Sequence, residues 1–112
     1  MFISDKELLR HIKSELDFLV KESQKTSRDN FLKNDILQRA FARSLEIVGE
    51  AVKKLSNEFI LKNPNSEWRR MAGMRDKLIH GYFSVDYQIV WNVVSEKVPL
   101  LQHDIQIFLE SE

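Results

Sequence analysis

The chain has 112 residues, with 17 Lys and Arg balanced by 17 Asp and Glu, three His and no Cys. That length predicts a single domain spanning residues 1–112, able to bury roughly two-thirds of its unfolded surface without a disulfide or a metal. The lack of cysteine excludes disulfide frameworks, thiolate zinc sites, iron–sulfur clusters and Cys nucleophiles. The opening Met1-Phe2-Ile3-Ser4-Asp5-Lys6-Glu7 lacks the basic-then-apolar order of a signal peptide, and no apolar run approaches about 18 residues, so a cytoplasmic protein is expected.

Zero net charge hides a gradient. Residues 1–66 carry 12 basic and 10 acidic side chains, residues 67–80 carry four basic and two acidic, and residues 86–112 carry one Lys against five acids. A polyanion site is therefore expected near the third quarter of the chain, with ordinary solvated faces as the alternative.

Only three Gly and two Pro occur, apolar residues recur at helical intervals, and strict alternation is nowhere sustained, which predicts an all-α fold. Ser4 and Glu7 form an S-x-x-E capping box for a first helix, whose stripe is Leu8/Leu9, Ile12, Leu16 and Leu19/Val20. Gln24 to Asn30 is polar and reads as a loop. A second, longer helix carries Leu37, Phe41, Ser44/Leu45, Val48, Val52, Leu55 and Phe59, and stops before Pro64. A third runs from an N-cap at Ser66, with Glu67 in its first turn, to about His80, where Gly81 suits a terminating residue. Asp86 caps a short fourth helix through Val90, Trp91 and Val94, and Pro99 opens a last one ending near Leu109. The sum is a compact bundle of two long and two or three shorter helices. The second helix is rich in small residues, among them Gly49, which fits close approach of another helix from the same chain or from a second subunit.

Reactive side chains concentrate in Met74-Arg75-Asp76-Lys77-Leu78-Ile79-His80-Gly81-Tyr82. Asp76 and His80 are i,i+4, so the carboxylate could accept from the imidazole and favour its charged form. Arg75 and His80 lie about 140° apart around a helix and converge only if the helix ends at Gly81 or a second copy supplies partners. Arg offers a fork for phosphate oxygens and His a proton acceptor or donor near neutral pH. Together they could cleave RNA by attack of a 2′-hydroxyl on the adjacent phosphate without a metal. The alternative is a surface Asp76–His80 pair near a helix C-terminus, with Arg75 solvated. Arg39 and Arg43, also i,i+4, could extend a phosphate-binding surface together with Lys77, or bond Glu46 and Glu50 instead. His11 and His103 lack the H-x-x-x-H or H-E-x-x-H partner of a metal site, so none is expected. Trp68 and Trp91 read as core anchors.

The run Arg75 to Tyr82 resembles the R-x4-H-x-Y motif of the HepT-like toxins, a branch of the HEPN superfamily of helical ribonucleases. The likeness extends through Arg39-Ala40-Phe41-Ala42-Arg43-Ser44-Leu45-Glu46-Ile47-Val48-Gly49-Glu50-Ala51, through Trp68-Arg69-Arg70-Met71-Ala72-Gly73-Met74, and on through Phe83 to Asp86, Val90-Trp91 and Val98-Pro99-Leu100. Asp76 stands where HepT-like members usually carry Asn. The resemblance implies a HEPN-type bundle and a C2 homodimer whose two motifs face each other as one composite ribonuclease site, with Arg75 and His80 catalytic and Asp76 supporting. It implies no cofactor. It also implies an antitoxin partner, a minimal nucleotidyltransferase of the MntA-like type, which transfers AMP to the motif tyrosine, here Tyr82. Asp76 keeps a second reading open, a non-catalytic HEPN module that binds RNA or nucleotide or serves as an assembly subunit for a nucleotidyltransferase.

Overall fold

A computed structural model describes residues 4–80 and 85–111, the side chains of Ile79 and His80 excepted. All regular structure among these residues is helical. Helix α1 (Asp5–Gln24) starts where Ser4 Oγ accepts from Glu7 N–H at 3.1 Å, so the anticipated cap is in place. Its stripe of Leu8, Leu9, Ile12, Leu16 and Leu19 is buried. Each such side chain contributes about 1.5–3 kcal/mol by leaving water. The stripe packs on α3 (Asp35–Lys54) and α7 (Val98–Glu110), and α3 packs in turn on α5 (Trp68–His80). The two long helices expected from the sequence are α1 and α3, of 20 residues each.

The polar stretch read as a loop contains a short helix, α2 (Arg28–Phe31), capped by Ser27. Phe31 explains it: the ring is fully buried, 5.0 Å from Phe41 and 5.3 Å from Trp91 between ring centres, and the turn delivers it to the core. The second helix does not run on through Phe59. It ends at Lys54, Leu55 turns extended, and α4 (Asn57–Lys62) begins from an N-cap at Ser56. The cause is distant in sequence. Asp5 accepts from the Ser56 N–H at 2.9 Å and from its hydroxyl at 2.6 Å, holding the break against the start of α1.

Ser66 does not cap α5; its hydroxyl donates to Asp104 at 3.0 Å, and the first helical bond runs from Met71 N–H to Glu67 O. Trp68 is an anchor, as read: buried, with Nε1 donating to Asn63 O at 3.0 Å, in a ring cluster with Phe59 and Phe108. Asp86 caps α6 (Tyr87–Asn92) by accepting from Gln88 N–H at 2.9 Å. The two last helices of the sequence reading are joined by a π-helical stretch, Val93–Lys97, in which Val98 N–H donates to Val93 O. Pro99, near the start of α7, has no N–H for the carbonyl four residues back, and Ser95 Oγ donates to Trp91 O at 2.8 Å. Both loosen the α-helical register there. Gly81, expected to end α5, lies outside the described residues.

Candidate active site on helix α5

Gly49 decides where the motif helix sits. A Cβ on Gly49 would overlap Arg75 Cβ and lie 2.7 Å from Met71 O. The bare backbone of α3 is therefore what lets α5 come this close. Of the two readings left open for Gly49, contact within one chain accounts for it. The contact fixes the base of the Arg75 side chain, which is three-quarters buried. Arg75 Nη1 donates to Asp76 Oδ1 at 3.2 Å, and Nε is buried with no partner among the described residues. Most of the five guanidinium donors thus have no partner among the described residues.

Lys53, one turn beyond Gly49 on α3, donates to the same oxygen of Asp76. Two cations on one carboxylate leave the cluster net positive. The Lys53 bond is the main influence holding the Asp76 carboxyl below its ordinary value; partial burial opposes it, and the Arg75 bond adds to the lowering. Asp76 is therefore firmly ionised at neutral pH, with its charge shared between the helices. Sequence reasoning missed Lys53. Its only local signal is a cation four residues after Gly49, and nothing nearby in sequence announces a partner 23 residues on.

The other anticipated residues fall as follows. His80 is the last residue of α5, on the same face as Asp76 one turn earlier; the bond expected between them rests on a side chain outside the described set. Tyr82 also lies outside it. Lys77 is exposed on α5 with no ion pair among the described residues. Arg39 and Arg43 are exposed on α3, roughly 15 and 9 Å before Gly49 along the axis, and Arg43 bonds Glu46 at 3.3 Å. The structure does not bring them to the Arg75 cluster, and for Arg43 the carboxylate alternative holds. Among the described residues no cluster of three or more His, Asp or Glu could hold a metal ion, and no helix is long and apolar enough to cross a membrane.

Fold and site together define an all-helical bundle that presents an arginine-centred, net-positive cluster on a helix ending in histidine. Comparison with known proteins narrows that class. The chain belongs to the ribonuclease HepT-like family, whose model matches residues 6–108. It is 45% identical over 104 residues to a protein of Caldanaerobacter subterraneus subsp. tengcongensis named as a candidate RNase, with 93% of each chain covered. It is 45% identical over 93 residues to another so named from Methanocaldococcus jannaschii, covering 83% of this chain and 74% of that one. It is 39% identical over 99 residues to the "Probable ribonuclease HepT" of Thermococcus cleftensis, covering 88% and 90%. No solved structure gives a significant match.

Proposed function

We propose that the protein is a metal-independent endoribonuclease in which Arg75 and His80 carry the reaction. The observation that carries this reading is Arg75 itself, seated against Gly49 and bonded among the described residues only to Asp76, which leaves most of its donors without a partner there. In the proposed reaction a 2′-hydroxyl attacks the adjacent phosphorus as it gives up its proton. The 5′-oxygen then departs and takes a proton, leaving a 2′,3′-cyclic phosphate and a 5′-hydroxyl. His80 serves in proton transfer at one of these oxygens, and Arg75 holds the phosphate and its developing charge. Lys53 offsets the negative charge of Asp76 beside that phosphate, which supports catalysis with Asp at this position.

In this reading the site is completed in a C2 homodimer, where the same motif is presented twice across the axis. A minimal nucleotidyltransferase antitoxin, as in other HepT-like pairs, transfers AMP to Tyr82. The added bulk and phosphate charge then oppose entry of the RNA backbone. The test is incubation of purified protein with RNA in chelator, comparing wild type with His80→Ala. Cleavage by wild type to cyclic-phosphate ends, reduced about 10²–10⁴-fold in the variant, is expected. Cleavage that the chelator abolishes, or that His80→Ala performs as well, defeats the mechanism. A wild type that binds RNA without cutting it favours the non-catalytic reading.

A further inference from the structure

Two glycines lie inside helices of the described chain, and packing accounts for only one. Gly49 is required by the approach of α5, whereas a Cβ on Gly73, in the middle of α5, would meet nothing within 4 Å. Gly73 is exposed and its φ is not positive, so among the described residues neither space nor backbone conformation calls for glycine. A helix-interior glycine is less stable than alanine, and glycine is used where something must come close to the backbone. Among the described residues nothing covers Gly73, and its bare backbone is open to a partner from outside the chain.

The chemistry around it indicates what that is. Arg69 and Lys77 stand one turn before and one turn after Gly73 on the same row of α5, roughly 12 Å apart along the axis. Both are exposed, and neither has an ion pair among the described residues, whereas the other two cations of α5 are engaged, Arg70 by Glu67 and Arg75 by Asp76. Asp76 and His80, three and seven residues after Gly73, share its face. The C2 contact proposed above brings the motifs together at the His80 end; were it to extend along this whole row, Arg69 and Lys77 would meet the cations of the second copy, since a symmetric contact presents the same patch twice. A polyanion meets no such repulsion.

We propose that the row Arg69–Gly73–Lys77 is the track along which an RNA strand crosses α5 toward His80, its sugar–phosphate backbone resting on the bare helix at Gly73 and its phosphates held by Arg69 and Lys77. This rests on the ribonuclease reading above. Binding is measured apart from cleavage, by fluorescence anisotropy of a labelled single strand whose 2′-O-methyl groups block the attack, over a series of salt concentrations; an unmodified strand reports cleavage. Gly73→Ala should melt about 2–6 °C above wild type, because alanine suits a helix interior, yet bind at least tenfold more weakly. Arg69→Ala and Lys77→Ala should each weaken binding and lower the slope of log K against log salt by about 0.7, the value for one phosphate contact on a single strand. Lys62→Ala on α4, whose cation bonds Glu58, is the control that should change nothing.

Gly73→Ala binding like wild type overturns the proposal. So does loss in that variant of a dimer that wild type forms, which assigns the face to a second copy. Binding that the Arg69, Gly73 and Lys77 variants weaken, in a protein whose wild type never cleaves, would sink the catalytic reading and leave the track standing. Cleavage indifferent to the Arg69, Gly73 and Lys77 variants sinks the track alone, and a wild type that neither binds nor cleaves RNA overturns both.

Discussion

Replacing Gly49 by alanine tests the central structural argument, because one methyl group is set between two helices that leave no room for it. The new Cβ would overlap Arg75 Cβ and sit 2.7 Å from Met71 O. Reaching ordinary van der Waals separation requires α3 and α5 to part by roughly 1 Å. Overpacking of this kind costs about 1–3 kcal/mol, and the better helix propensity of alanine returns up to ~1 kcal/mol. A net destabilisation of up to about 2 kcal/mol is expected, read as a lower urea midpoint with an unchanged slope. The effect on cleavage should be larger than stability alone explains. Arg75 rides on the displaced segment, and a misplacement of about 1 Å at a reacting group can cost ~10²-fold. The assay pairs urea unfolding with RNA cleavage under conditions where the variant is fully folded. Gly49→Ala at or above wild-type stability, with unaltered cleavage, would refute the claim that this glycine seats the arginine.

Three further outcomes follow from contacts at the C-terminal end of α3. In Lys53→Met the Asp76 carboxyl should titrate closer to its ordinary value than in wild type, since the Lys53 bond is the main influence lowering it; carboxyl-detected NMR reads this directly, and an unchanged titration removes Lys53 from the cluster. A carboxyl whose folded pKa lies below its unfolded one stabilises the fold above the unfolded value, and that contribution is lost as pH falls through the folded value. The Lys53→Met variant should accordingly lose less stability on acidification, in the pH range where Asp76 takes up its proton. Just past the same end of α3, Asp5→Ala removes both acceptors of Ser56 and should cost about 1–2 kcal/mol, measured by chemical unfolding; a midpoint equal to wild type shows that the clamp does not hold the α3–α4 break.

The sequence by itself determined what is set within a few residues. The buried stripe of α1, the caps at Ser4 and Asp86, the proline near the start of α7 and the burial of Trp68 were legible because helix periodicity and capping are local. So was the gathering of Arg75, Asp76, Lys77 and His80 on one helix. Tertiary structure decided whatever depends on a partner distant along the chain. The apolar pattern through Phe59 promised a continuous helix, and Asp5, 51 residues away, holds the break at Ser56. The polar run before Phe31 promised a loop, and burial of that ring among Phe41 and Trp91 makes it a helical turn. Gly49 offered two readings until Arg75 was found against it. Spacing could propose His80 as a partner of Asp76, a bond that lies outside the described side chains, but only packing of α3 on α5 reveals Lys53 as one. Spacing along a helix fixes which residues share a face; only the packing of one helix on another fixes what that face meets.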